Sequence, residues 1–520
     1  MRRTFAAGIA VLGAVVVATT AVTKIAGSLP SPSKQPNVIL LGIDSLRPDL
    51  IDSQRTPRVK QFLADSVQLT DAVTPLARTF PAWVSILSGR NPHTTGAYMN
   101  LLPRERIHTG ETLPATLRRQ GYRTAYAIDE TRFSNIDRSY DFDQTVTPAM
   151  GATDFVLASF GDTPLSNLIV NTPLGAWLFP HLHANRAAHA LYEPDTFVQR
   201  LDRELHFKQP LFLAIHLTLP HWPYSWATSS LEQADARSED STSTRGRYLS
   251  ALARVDQQFG RLLSVLRRHG ALDNALVVVL SDHGEALGTD SDLLTEYLPE
   301  KSRRSTGFEN QGHGSSVLSP PQYHVVLGFR GYGEAGRLLP HRGVVDVPAS
   351  LIDIAPTLLD LLTIAPRESC DGLSLAPALR AGASAMPELA ERLRFTETEF
   401  SPRNLSPENL TGSALAEAVT AFQVDSDSDR LSVRIQKLDQ VMRNRQYAVL
   451  LGDRVLAAAL PGLRTDDPHQ LVVVPYPFRI ASRLAVPTGN VSAAERQHLR
   501  HALQDTFNIR VTAENTASGS

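Results

Sequence analysis

Residues 37–44 read Asn-Val-Ile-Leu-Leu-Gly-Ile-Asp, and residues 275–284 read Ala-Leu-Val-Val-Val-Leu-Ser-Asp-His-Gly. Neither run alternates apolar with polar residues, as a strand with one wet face would. Unbroken apolar runs of six or seven residues are instead those of strands covered on both faces, the condition of a parallel sheet. Leu211 to Ile215 (LFLAI) is a third run of this kind. Helix candidates lie between them, 113–120 ahead of Gly121 and Arg245 to Arg268 ahead of Gly270, each stopped by glycine. Residues 346–365 (DVPASLIDIAPTLLDLLTIA) read as a strand entering a helix with Pro356 in its first turn. This alternation predicts an α/β fold with a mostly parallel central sheet covered by helices on both faces.

In an open sheet of this type, ligands bind outside the carboxyl ends of the strands. All three runs end in side chains capable of chemistry: Asp44 after the first, His216-Leu-Thr-Leu-Pro-His221 after the second, Asp282-His283 after the third. A fourth segment, Arg78-Thr-Phe-Pro-Ala-Trp-Val-Ser-Ile-Leu-Ser-Gly89, has Trp83, Val84 and Leu87 at helical spacing behind Pro81. Thr79 therefore falls at or just before a helix N-terminus, where free N–H groups and the helix dipole favour an anion. The alternative is a plain N-cap. Arg47 is a candidate for contact with an anion or for a structural ion pair. His216, inside the strand run, reads as a core residue.

The 520 residues suggest one large domain and a smaller one. The partition expected is 1–26 as a signal-anchor or signal peptide, 27–36 (GSLPSPSKQP) as a linker and 37–400 as the catalytic domain. Residues 401–511 then form a C-terminal α+β subdomain, and 512–520 a disordered tail. The subdomain shows as short strand-like pieces (YAVLLGD, RVLAAAL, LVVVPY) and a final helix near 493–507. Arg2 and Arg3 precede a charge-free stretch, Phe5 to Thr23. About 20 helical residues span about 30 Å, the thickness of a bilayer core. This predicts an N-terminal membrane helix, or a cleaved signal, with the rest exported to the periplasm or cell exterior. A formal net charge of -2 excludes a typical nucleic-acid binder, and the lone Cys370 excludes an intrachain disulfide or a thiolate metal cluster.

Several unlinked motifs between about residues 36 and 380 resemble one family. The stretch 37–50 (NVILLGIDSLRPDL) looks like the opening strand and metal-binding Asp of sulfatases, and 85–98 (SILSGRNPHTTGAY) like the end of their signature. Residues 275–288 (ALVVVLSDHGEALG) are similar to the second metal-binding strand, and 353–362 and 371–379 to later structural parts. The chain is thereby identified as a member of the alkaline phosphatase superfamily, on its sulfatase-like side. The departures are specific. Sulfatases carry a Cys or Ser, converted to formylglycine, where this chain has Thr79, and their second consecutive Asp is Ser45 here. Thr79-Phe-Pro resembles nucleotide pyrophosphatase/phosphodiesterases. Ser281 to Gly288 with Gly312-His-Gly314 resembles phosphoethanolamine transferases, and lipoteichoic acid synthases also use a Thr nucleophile.

The resemblance implies one divalent metal ion held by Asp44, Thr79, Asp282 and His283, with Thr79 as the nucleophile. Three oxygens and one imidazole suit Zn or Mn better than Ca, which takes six or more oxygens. His221 and His313 are implied as the groups that protonate a leaving oxygen or bind the anion. The long insertion 289–311 carries Lys301, Arg303 and Arg304, which either steer an anionic headgroup as a lid or form a solvated basic tip. The expected function is cleavage or transfer of a phosphate-type ester through a Thr79 intermediate, on a lipid headgroup or envelope glycan. The alternatives are a sulfuric ester hydrolase without formylglycine and an inactive membrane-tethered binding protein.

Overall fold

The structure, a computed structural model, describes residues 35–131, 134–148, 169, 172–178, 194–208, 210–222, 224, 243–289, 292, 311–399, 422–424, 431–442, 445–452, 454–458, 472–475 and 492–507. In chain order the first strands are β1 (Asn37–Ile43), β2 (Val67–Leu69), β3 (Ala72–Val73), β4 (Arg123–Ile128), β5 (Gln144–Val146), β6 (Leu211–Leu217) and β7 (Ala275–Leu280). They are followed by β8 (Ala286–Leu287), β9 (Gln311–Gly312), β10 (Leu327–Tyr332) and β11 (Gly343–Val345). Eight of these form the central sheet, in the order β11-β2-β10-β7-β1-β6-β4-β5. Only β10 runs against the others, pairing antiparallel with β7 and β2. The three runs that predicted a parallel sheet are its centre, β1 lying between β6 and β7 in parallel register.

Side chains of successive residues on these strands enter opposite layers, as the period of two requires. Val38 and Leu40 of β1 join Leu276, Val278 and Leu280 of β7 in one core. That core is filled by Trp83 and Leu87 of the helix Thr79–Ser88 and Leu358 of the helix Ile354–Leu361. Ile39, Leu41 and Ile43 face the other core with Val277 and Val279. They meet Phe62 of the helix Pro57–Ala64, Phe197 of Pro194–Glu204 and Phe259 of Thr244–Arg268. Helices thus cover both faces, as expected. Each fully buried Leu, Ile or Phe contributes roughly 1.5–3 kcal/mol, so the two cores carry most of the stability.

A second sheet, antiparallel throughout, follows: Leu393–Glu397, Tyr447–Leu451, Arg454–Ala458 and Val472–Pro475. Leu499 and Leu503 of the helix Ala493–Phe507 pack on its Val449. The first of its strands precedes residue 400, and its last residue, Glu397, bridges to Leu76 just ahead of the Thr79 helix. The stretch Phe5 to Thr23, expected as a membrane helix, lies outside the described residues. Among the described residues no helix is long and apolar enough to cross a membrane. Lys301, Arg303, Arg304 and the tail 512–520 also lie outside them.

Gly42 sets how closely the Thr79 helix approaches the sheet. A Cβ there would lie 2.6 Å from the Trp83 indole and 3.2 Å from the His216 ring. Gly42→Ala is therefore expected to push Trp83 outward and cost about 1–3 kcal/mol. Urea unfolding measures the loss; an unchanged midpoint would mean that Trp83 yields freely.

Candidate active site

Register places the reactive groups. Gly42 pairs with Leu280 on one side and with His216 on the other. Asp44 and Asp282, each two residues beyond the Gly42–Leu280 pair, therefore leave the sheet side by side, and His216 sits one strand over. Asp44 N–H donates to Leu217 O at 2.9 Å, which pins the end of β1 to β6. Ser45 then turns the chain with φ 57°, a left-handed conformation that non-glycine residues adopt at a cost. The Tyr248 hydroxyl holds the Ser45 carbonyl at 2.7 Å.

Thr79 opens the helix Thr79–Ser88, whose N-cap is the extended Arg78, so Thr79 is not itself the cap. Its hydroxyl points elsewhere. Thr79 Oγ lies 3.4 Å from Asp44 Oδ2 and 3.4 Å from His283 Nε2. His283 Nε2 is 3.6 Å from Asp44 Oδ1 and 3.5 Å from Asp282 Oδ2. A backbone carbonyl can only accept, so the 2.9 Å contact of His283 Nδ1 with Gly284 O puts the ring proton on Nδ1. Nε2 then faces the two carboxylates and the threonine.

Donors this close suit a shared cation: four ligands held tetrahedrally at about 2.0–2.1 Å lie roughly 3.3–3.4 Å apart. Asp282 Oδ2 and both ring nitrogens of His216 are buried without hydrogen-bond partners among the described residues. His216 Nε2 is 3.4 Å from Asp282 Oδ2 and 3.8 Å from Asp44 Oδ2, so Asp44, His216 and Asp282 make a possible ligand group. Sequence reasoning had left His216 in the core; its one signal is a polar residue at the carboxyl end of a buried strand.

A second layer surrounds these donors. Ser45 Oγ lies 2.8 Å from both Asp44 Oδ1 and Glu285 Oε2. Glu285, wholly buried, also takes the Tyr224 hydroxyl at 3.1 Å and meets His313 Nδ1 at 2.8 Å. It too was not foreseen, although it stands two residues past His283 in the same motif. The β8–β9 ladder closes the neck of the 289–311 excursion and returns His313 to the site. The His313 ring stacks on His283 at 4.0 Å and meets His221 edge-on at 4.9 Å. His221 Nδ1 contacts Trp222 O at 2.5 Å.

Burial alone would raise the Asp282 carboxyl, but His283 and His216 beside it bring it well below its ordinary value. Burial pushes Glu285 up, against the pull of His221, His283, Ser45 and Tyr224. Burial, with His283 and Arg78 nearby, pushes His313 well below its ordinary value. Arg47 stands behind these groups, its guanidinium donating to the Glu285 carbonyl at 3.2 Å and its backbone N–H to the Tyr248 hydroxyl at 3.1 Å. Its guanidinium is bidentate to Asp49, at 3.0 and 2.7 Å, and bonds Asp292 at 2.7 Å, so of the two roles weighed for it the structure shows the ion pair.

A sulfatase family model matches residues 36–364. The chain belongs to the sulfatase family. It is thus a sulfatase-family hydrolase, as the motifs had indicated. Relatives include choline-sulfatase of Rhizobium meliloti (strain 1021), 24% identical over 69% of this chain and 74% of its own length. Human arylsulfatase A is 26% identical over 67% of this chain and 68% of its own length. In fold, the phosphonate monoester hydrolase SpPMH from Silicibacter pomeroyi matches with a TM-score of 0.56 at 18% identity, covering 93% of this chain and 97% of that one. Enzymes of the sulfatase family use a divalent metal, and this member has the buried ligand groups for one.

Removing a donor tests that assignment. Asp282→Ala and His216→Ala are each expected to lower bound metal about tenfold or more after dialysis, as read by inductively coupled plasma mass spectrometry. Full metal occupancy in both variants would move the cation elsewhere.

Proposed function

We propose that this chain cleaves or transfers a phosphate-type ester through a covalent intermediate on Thr79, with a divalent cation held by Asp44, Thr79, Asp282 and His283. One observation carries the reading: the Thr79 hydroxyl lies inside the donor set, 3.4 Å from both Asp44 and His283, and not on the backbone it could have capped. Bound there, the cation would lower the pKa of the hydroxyl and offset charge on the ester. The chain's own residues do the rest. Thr79 Oγ attacks phosphorus in line, its bond forming as the bond to the leaving oxygen breaks, with its proton lost to solvent or base. His221 and His313, stacked toward His283, meet the leaving oxygen or the anion. Two carboxylates, a hydroxyl and imidazole support Zn or Mn over Ca, and Ser45 stands where the family's Ca-binding pattern has a further carboxylate.

Phosphorus is preferred to sulfur on chemical grounds. Thr79 carries a methyl on Cβ, so it cannot become an aldehyde, and the formylglycine hydrate's route for releasing sulfate is closed to it. The second reading, a sulfuric ester hydrolase that works without formylglycine, is favoured by the names of the relatives, choline-sulfatase and arylsulfatase A. The charge-free stretch Phe5 to Thr23 behind Arg2 and Arg3 supports an exported site anchored to the membrane, facing a lipid headgroup or envelope glycan.

Assays with bis-p-nitrophenyl phosphate, p-nitrophenyl phosphate and p-nitrophenyl sulfate, with Zn and Mn supplied, separate these readings. Turnover of a phosphate ester is expected; hydrolysis of the sulfate alone would reject the preference. Inertness toward all three would favour a tethered binding protein. Thr79→Ala should lower turnover by about 10³ or more and abolish the adduct seen on Thr79 by mass spectrometry. Activity retained in that variant would remove Thr79 as nucleophile.

A further inference from the structure

At a net charge of -2 the chain has no general attraction for an anion, so the transferred group must be held by local cations. Arg47, the candidate from sequence, is committed to Asp49 and Asp292. We propose that Arg78 binds the oxyanion of the transferred group and that Glu399 is the positioning residue that holds Arg78 in place. The inference rests on the reading of this site as an ester-cleaving centre and adds the group that recognises the substrate.

Arg78 immediately precedes Thr79, with its backbone extended (φ -146°, ψ 141°). Its side chain is 23% exposed while Thr79 is buried, and it lies close enough to His313 for its charge to help depress that imidazole. Arg78 Nε lies 2.6 Å from Glu399 Oε2, and the Glu399 side chain is nearly enclosed. Among the described residues the two terminal nitrogens of Arg78 have no hydrogen bond or ion pair. A guanidinium ion-paired at Nε, with both terminal amino groups unpartnered among the described residues, is arranged for a forked contact with a tetrahedral oxyanion.

Glu399 does more than neutralise a surface charge. Its Oε1 accepts the Asn100 N–H at 2.8 Å, and Asn100 Oδ1 in turn accepts the Phe80 N–H at 3.2 Å, at the first turn of the nucleophile's helix. The Glu399 N–H donates to Gly314 O at 3.0 Å, one residue past His313. The loop crosses Arg78 as closely as backbone allows: a Cβ on Gly314 would lie 2.6 Å from Arg78 Nε and 2.7 Å from Ala77 O, and φ there is 65°. Glu399 therefore ties together, through its carboxylate, the arginine and the start of the Thr79 helix, and, through its backbone N–H, the His313 loop. Glu399 lies beyond residues 36–364, the part that matches the family.

The test measures oxyanion binding directly, independently of turnover. Isothermal titration of the metal-loaded full-length protein with inorganic phosphate and with sulfate gives the dissociation constants; metal content and Tm are measured alongside. Arg78→Ala is expected to weaken the bound oxyanion about tenfold or more, since a hydrogen bond to a charged group is worth about 1.5–3 kcal/mol. Metal content and Tm should stay near the parent values. Arg78→Lys should recover part of the affinity, and Glu399→Gln should weaken binding about threefold to tenfold in the same direction. Binding within twofold of the parent in Arg78→Ala overturns the proposal. So does loss of metal or a collapse of Tm in both Arg78 variants, which would make the pair structural, and so does a parent protein that binds neither anion. Which anion binds does not bear on Arg78; preference for sulfate would instead count against the phosphate reading above.

Discussion

Two buried carboxylates set side by side govern this structure. Asp44 and Asp282 leave adjacent strands at equivalent register, and their side chains are almost completely removed from water. Burying one uncompensated carboxylate costs several kcal/mol, and two facing each other cost more through mutual repulsion. Such a pair persists only beside positive charge. His283 and His216 stand on the same donors, and Thr79 supplies an oxygen with no backbone partner of its own. The sheet therefore builds a candidate cation centre before any residue is given a catalytic role, since parallel β1 and β7 cannot end at the same level without bringing the two aspartates together.

Much of the remaining architecture serves to bring the nucleophile to that pair. Removing one Cβ at Gly42 lets the Trp83 indole lie on the strand and draws the Thr79 helix to the sheet edge. Trp83 also meets the Tyr126 ring edge-on at 5.7 Å, which fixes the helix against β4. Ser45, in its strained turn, then replaces a metal-binding carboxylate by a hydroxyl that bridges Asp44 to Glu285. The carboxylate on the far side of that hydroxyl is Glu285, which His313 and Tyr224 meet.

What was legible in the sequence was whatever shows as local pattern. NVILLGI and ALVVVL announced a sheet buried on both faces, and the residues directly after them announced the site. The short β2 and β11 left no such pattern, because β2 pairs with β10 and β11 over only two or three residues and from more than 200 positions away. Arg47 was ambiguous for the same reason: Asp292, which decides its role, is 245 positions along the chain. His216 was hidden because a histidine inside LFLAIHL reads as core until the register with Gly42 places it at the strand end. Glu285 and Glu399 acquire their roles from contacts with three separate segments each, which no window of sequence contains.

Electrostatics explains why the oxyanion must be gripped so closely. A chain near neutrality provides little long-range steering, and at physiological salt a surface charge is screened within about 8 Å. Attraction has to come from groups inside the site, where the dielectric is lower and each charge counts for more. The carboxylates that hold a cation there would themselves repel an anionic ester. The cation offsets that repulsion on one side of the transferring group, and the opposite side still needs a donor that stays charged whatever the burial. Histidine does not meet that condition, since burial already depresses His313. Guanidinium does, because its charge survives desolvation, and that of Arg78, next in sequence to the nucleophile, is held by the nearly enclosed Glu399 carboxylate.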